Sequence, residues 1–190
     1  MTDWKKVWQK KGEKITSDLI WLDGFEKTNI NPVEVANKII DILNIKTTDK
    51  VLEVGCGAGM LAHHLKNKCF YVGLDMTESL LRKHAGHLKN YVIQSDANDI
   101  PFKDNYFDKC FSYSVFHYFP DIEYIKKTIL EMSRVTKTSK DKYNIFIGDL
   151  PTKSHDNNHF LFNHKMFSWL GGFYIFDGYY TKDRFNVAFQ

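Results

Sequence analysis

The sequence predicts an α/β fold in which a mostly parallel, doubly wound sheet carries helices on both faces, a three-layer α/β/α arrangement. Three observations support this. Short apolar runs at 51–54, 70–74, 91–94, 109–112 and 143–147 alternate with stretches of helical spacing, and such alternation implies parallel strands joined by right-handed crossovers. The first run opens into Gly55, Gly57 and Gly59, and the second ends on Asp75. The 190 residues are about one domain's worth, and 43% hydrophobic content suffices to fill a buried sheet.

In chain order, Lys5, Lys6, Lys10, Lys11 and Lys14 form a charge run near the N-terminus, the mark of a solvated helix face. Asn31 caps a helix over 33–43, with Pro32 in its first turn and Val35, Ile39, Ile42 and Leu43 near helical spacing. Strand 51–54, helix 60–66, strand 70–74, helix 80–85 and strand 91–94 follow. A turn through Pro101-Phe102-Lys103-Asp104-Asn105 then leads to strand 109–112. Asp121 caps a helix in which Ile122, Ile125, Ile129, Met132 and Val135 make one apolar stripe, which reads as core. Strand 143–147 ends at Gly148-Asp149-Leu150-Pro151.

The segment Val51-Leu52-Glu53-Val54-Gly55-Cys56-Gly57-Ala58-Gly59 points to a nucleotide-type ligand. Glycines after a strand let the chain turn sharply, bring backbone N–H groups close to a ligand and pack helix against sheet. Asp75, about twenty residues beyond the first glycine, stands where a carboxylate accepts both hydroxyls of a ribose. A nicotinamide-dehydrogenase fingerprint would need glycine at Met60 and gives no role to Asp96. Across roughly 32–150 the motifs VLEVGCGAG, GLD, SDANDIPF and FDKCFSYSVFHYF, in that order, make the chain resemble the class I S-adenosylmethionine-dependent methyltransferases, particularly the branch that methylates small molecules.

The resemblance implies a Rossmann-like core with S-adenosylmethionine as cofactor and S-adenosylhomocysteine as product. It places the methionine part over Gly55 and Gly57, with Cys56 and Gly59 in the same loop and Glu53 near the ammonium. Asp75 takes the ribose hydroxyls, Met76 packs on adenine, Asp96 and the Ala97 N–H read the adenine edge, and Ser112 completes the set. It divides the chain into an N-terminal cap or lid (1–30), a cofactor-binding core (31–150) and an aromatic-rich extension (151–190). Trp4, Trp8 and Trp21 either form the lid or staple the first helix to the core. The acceptor is expected along 112–120, where His117 is either a general base or a packed neighbour. That segment lacks the Asn/Asp-Pro-Pro-aromatic motif of enzymes that methylate exocyclic amines of nucleobases or protein glutamine amides. The expected activity is methyl transfer to a small molecule. The alternatives are an RNA or protein methyltransferase, or a non-catalytic S-adenosylmethionine-binding regulator or subunit.

A net charge of +3 is too mild to argue for nucleic acid as partner, and no apolar run approaches a membrane span. Without a secretory signal the chain reads as soluble and cytoplasmic. Cys56, Cys69 and Cys110 lack metal-ligand spacing and read as thiols of a reducing compartment. His155, His159 and His164 read as surface or lid histidines, so no metal is expected. The similar family closes its sheet with a further helix and an antiparallel strand pair, and two readings of the tail compete. In the preferred one, 179–185 opens that helix and the chain stops short of the pair, leaving the fifth strand with a bare edge that a homodimer through Phe160, Phe162, Phe167, Trp169, Phe173 and Phe176 would cover. In the other, 173–176 is a strand and the sheet closes in an abbreviated way.

Overall fold

The computed structural model describes residues 3–88, 91–138 and 144–151, together with the strands at 173–176 and 184–189. Two helices, α1 (Trp4–Gly12) and α2 (Leu19–Leu22), precede α3 (Pro32–Leu43). The alternating part runs β1 (Lys50–Val54), α4 (Ala62–Leu65), β2 (Phe70–Asp75), α5 (Glu78–Leu88), β3 (Tyr91–Gln94), β4 (Lys109–Tyr113), α6 (Ile122–Val135) and β5 (Ile145–Pro151). Strands β6 (Phe173–Phe176) and β7 (Arg184–Phe189) follow. All seven strands form one sheet in the order β3-β2-β1-β4-β5-β7-β6. The first five are parallel, and β7 runs antiparallel to both β5 and β6.

Local chemistry explains the helix ends. The Asn31 side chain accepts from the N–H groups of Val33 and Glu34, with Pro32 in the first turn where its missing N–H costs nothing. Asp121 Oδ1 accepts from Tyr124 N at 2.8 Å and starts α6. Ile125, Ile129, Met132 and Val135 of that helix are buried against Leu52, Val54, Val72 and Leu74 on one face of the sheet. On the other face Ala36, Ile39 and Leu43 of α3 pack with Val51, Tyr71, Phe111 and Phe146.

The tail corrects the preferred sequence reading. Residues 184–189 are a strand, not the continuation of a helix, and β6 and β7 are the closing pair, abbreviated to four residues on one side. β7 covers the edge of β5 from Ile145 opposite Phe189 to Pro151 opposite Arg184, with a shift in register between Ile147 and Leu150. The bare edge that motivated a homodimer is therefore absent. Phe160, Phe162, Phe167 and Trp169, and the three tail histidines, lie outside the described residues.

Candidate functional site

After Val54 the chain reverses through Gly55, Gly57 and Gly59, all at positive φ (80°, 52° and 92°). Two of these glycines are required by contact as well as by backbone conformation. A Cβ on Gly55 would lie 2.4 Å from the Val115 side chain beyond β4, and one on Gly57 would lie 2.3 Å from the Asp23 carboxylate. Gly55 N and Cys56 N donate to Leu74 O at 2.7 and 3.0 Å. Gly57 N donates to Asp75 Oδ2 at 3.0 Å, while Thr77 N donates to Asp75 Oδ1 at 2.8 Å. Ala58 N and Met60 N donate to the two oxygens of Asp23, at 2.6 and 2.8 Å.

This cradle borders a cavity of about 740 Å³, where the strand order reverses between β1 and β4, the usual position of ligands in open α/β sheets. Glu53, Gly55, Cys56 and Gly57 line it from β1 and its loop, Asp75 and Met76 from the end of β2, and Asp96 and Ala97 from beyond β3. Asp96 Oδ1 accepts from Asn98 N at 2.8 Å and from the Tyr124 hydroxyl at 2.7 Å. Three expected residues stand off the wall. Gly59 serves the turn, donating to Cys56 O at 3.0 Å. Ser112 is buried, and its hydroxyl donates to Val54 O at 2.8 Å, tying β4 to β1. His117 is buried in a single 3-10 turn, its ring 4.0 Å from that of Tyr118, and it is Tyr118 that lines the cavity.

The mouth is aromatic. Tyr118 meets Trp4 and Trp8 of α1 edge to face, at 4.8 and 5.3 Å between centroids, and all three rings line the cavity. Trp8 and Trp21 also pack on Leu22, Ala58 and Leu80. The tryptophans thus act as a wall and as a staple.

Charge on the wall is one-sided. Among the described residues, Asp3, Asp23, Glu53, Asp75 and Asp96 face Lys5 alone. Burial pushes Glu53 well above the carboxylate range, Asp23 and Asp75 push it further, and the hydrogen bond from the Tyr71 hydroxyl opposes them. Burial also raises Asp75, against the N–H groups of Gly57 and Thr77. Asp23 is pushed up to about 7, again by burial first, against the Ala58 and Met60 N–H bonds. An acid whose folded-state pKa is raised binds more protons folded than unfolded, so its contribution to stability falls as pH rises through the window between the two values. For Asp23 that window runs from about 4 to about 7. Melting of ligand-free protein should therefore show Asp23→Asn gaining Tm relative to the unsubstituted chain between pH 5 and 8. A gain in the opposite direction would mean the carboxylate is not buried at a cost.

Asp23 escaped the sequence reading. Its only local signal is the Asp23-Gly24 turn after the apolar run of α2, and its partners lie 35 and 37 residues away.

Residues 52–139 match the methyltransferase domain family. That match covers 88 of the 190 residues, and the fold around it is like that of the class I methyltransferases. The chain is 31% identical over 87 residues to a tRNA (carboxymethyluridine(34)-5-O)-methyltransferase of Arabidopsis thaliana, a match covering 46% of this chain and 21% of that protein. The chain spans between 21% and 34% of the length of the curated relatives it matches. A SAM-dependent methyltransferase from Aquifex aeolicus superposes with a TM-score of 0.67 at 22% identity, covering 100% of this chain and 98% of that one. Phosphoethanolamine N-methyltransferase 1 of Haemonchus contortus, in complex with phosphoethanolamine and S-adenosylhomocysteine, superposes with a TM-score of 0.71 at 15% identity, over 97% and 47% of the chains. At such identities the likeness is one of fold. S-adenosylmethionine is the cofactor of the class, and the methyltransferase domain meets its chemistry. A ligand with an ammonium, a sulfonium and a ribose diol suits a cavity that Asp23, Glu53, Asp75 and Asp96 line beside the glycine turn. Three free thiols and no candidate metal cluster occur among the described residues. No helix of the described residues is long and apolar enough to cross a membrane.

Proposed function

We propose that the chain binds S-adenosylmethionine at the glycine cradle and transfers its methyl group to a small-molecule acceptor entering beside the aromatic mouth. The observation that carries this reading is the single cavity wall on which the Gly57 cradle, Asp75 and Asp96 meet Trp4, Trp8 and Tyr118. The cofactor supplies a sulfonium-activated methyl carbon. Gly55 and Gly57 leave room for its amino-acid part, Asp75 accepts from the ribose hydroxyls, and Met76 and Asp96 flank adenine. The chain's own contribution is orientation, because an in-line displacement needs the acceptor held at about 3 to 3.5 Å with its lone pair aligned. The rings of Trp4, Trp8 and Tyr118 limit water and give an apolar acceptor a face to pack on. In this role residues 1–30 are a lid, 31–150 the cofactor-binding core and 151–190 the extension that closes the sheet.

Calorimetry with S-adenosylhomocysteine, followed by transfer of labelled methyl to a panel of small amines, phenols and carboxylates, tests the proposal. Binding without turnover on any acceptor would favour the regulatory role. The similarity to a tRNA methyltransferase favours a second reading, an RNA acceptor. Against it stands the cavity wall, where Lys5 is the one basic side chain among the described residues, so no basic groove meets a phosphate backbone. Labelling of bulk tRNA but not of small acceptors would decide for RNA.

His117 stands behind Tyr118, and its geometry favours packing over proton transfer. His117→Gln is expected to lower Tm while leaving turnover within about threefold, since removing a true general base costs about 100-fold or more. A hundredfold rate loss at unchanged Tm would restore His117 as the base.

A further inference from the structure

The glycine loop accounts for all of its backbone donors, and the source of two acceptors is unexpected. From Gly55 to Met60 every N–H has a partner. Gly55 and Cys56 donate to Leu74 O, and Gly59 donates to Cys56 O. Gly57 donates to Asp75, while Ala58 and Met60 donate to Asp23. Buried backbone donors are almost always paired, so this loop holds its three positive-φ glycines in place only while each acceptor stays. Asp23 lies outside residues 52–139, which match the domain family. It is the residue that ends α2, a one-turn helix started by Asp18, whose Oδ1 accepts from Trp21 N at 3.1 Å.

The segment that delivers Asp23 is docked elsewhere as well. The Ser79 hydroxyl of α5 donates to Gln9 O of α1 at 2.8 Å, while Lys11 pairs with Glu26 within the segment at 3.1 Å. Leu22, the neighbour of Asp23, is fully buried with Ala58 and Leu80. One carboxylate therefore joins the N-terminal segment, whose Trp4 and Trp8 wall the cavity mouth, to the loop that cradles the ligand.

We propose that Asp23 is a positioning residue of the cofactor site: its carboxylate latches the N-terminal segment onto the glycine loop, and cofactor affinity depends on that latch. This rests on the reading of the loop as an S-adenosylmethionine site. The latch needs both oxygens as acceptors, and protonation turns one of them into a donor. The charged and titratable groups that face Asp23 are Lys11 from α1, Glu53 from β1, Cys56 from the loop, and Tyr71 and Asp75 from β2. Burial holds Asp23 near 7, so its two-acceptor form is depleted between pH 8 and pH 6.

The test is titration calorimetry with S-adenosylhomocysteine at pH 8 and pH 6, on the full chain and on Asp23→Ala, Asp23→Asn and Asp18→Ala, with Tm recorded for each. At pH 8 Asp23→Ala should weaken binding about tenfold or more, as expected for two amides losing a charged acceptor. Asp23→Asn, which keeps one acceptor oxygen, should fall between and carries the test if the alanine variant does not fold. Asp18→Ala, which loosens α2 without touching the loop, should stay within about twofold. The unsubstituted chain should lose affinity from pH 8 to pH 6 by more than Asp23→Asn does. Alanine and asparagine variants that bind within twofold, a loss in Asp18→Ala equal to that in Asp23→Ala, or identical pH profiles would each overturn the latch. Failure of the unsubstituted chain to bind would overturn the cofactor reading and the latch with it, and is recognised because it needs no variant.

Discussion

Gly57→Val is expected to abolish measurable S-adenosylhomocysteine binding while the sheet still folds. Two costs arise at one position. The backbone sits at φ 52°, a left-handed conformation that costs an L-residue about 1–2 kcal/mol and a β-branched one more. The new Cβ would also lie 2.3 Å from Asp23 Oδ1 and 3.0 Å from its Cγ, so one of the two must move. If Asp23 moves, Ala58 N and Met60 N lose their acceptor; if the loop moves, Gly57 N leaves Asp75. Either way the cradle closes or distorts, and the valine methyls occupy space that borders the cavity. Calorimetry read beside the far-ultraviolet dichroism spectrum checks this. A folded variant with unchanged affinity would show that the ligand does not sit on the glycine loop.

What the sequence could and could not say follows from how local each determinant is. The β1 run, its glycine turn and the strand that ends on Asp75 were legible because all of them lie within residues 51–75. The α6 stripe and its Asp121 cap were legible for the same reason. The helix expected over 60–66 shrank to Ala62–Leu65, because Met60 N is held by Asp23 and Met60 and Leu61 are drawn into the buried cluster beside α3. The tail was misread although it carried a period-2 signal. Phe185, Val187 and Phe189 alternate with Arg184, Asn186 and Ala188, which is strand spacing, but the expected family order suggested a helix there.

His117 and Asp23 depend on tertiary packing instead. Adjacent residues of a 3-10 turn point in different directions, and only packing decides that Tyr118, not His117, lines the cavity. Asp23 acquires a role only through contacts made across the fold, which composition and spacing do not encode. The strands, the glycine turn and the carboxylate at the end of β2 are thus written locally, whereas the aromatic mouth and the contacts of Asp23 are tertiary.

Asp75→Ala is expected to weaken S-adenosylhomocysteine binding by about 100-fold, the second large effect. A hydrogen bond to a charged group contributes about 1.5–3 kcal/mol, and about 1.4 kcal/mol is a factor of ten in affinity, so loss of the ribose acceptor alone accounts for roughly 10- to 150-fold. The same carboxylate also holds the loop, accepting from Gly57 N at 3.0 Å and from Thr77 N at 2.8 Å, so the alanine variant frees two backbone donors in addition. Asp75→Asn separates the two roles. It keeps one acceptor oxygen and should retain part of the affinity, whereas a loss equal to that of alanine would show that the negative charge itself is needed beside a cationic ligand. Thermal shift adds a selectivity test, because the wall pairs the Asp75 carboxylate with a glycine loop that has Met60 where a dinucleotide fingerprint has glycine. S-adenosylhomocysteine should raise Tm and nicotinamide dinucleotides should not. Unchanged affinity in Asp75→Ala, together with a shift by a nicotinamide dinucleotide, would move the ligand to a different chemistry and leave the methyltransferase fold without its cofactor.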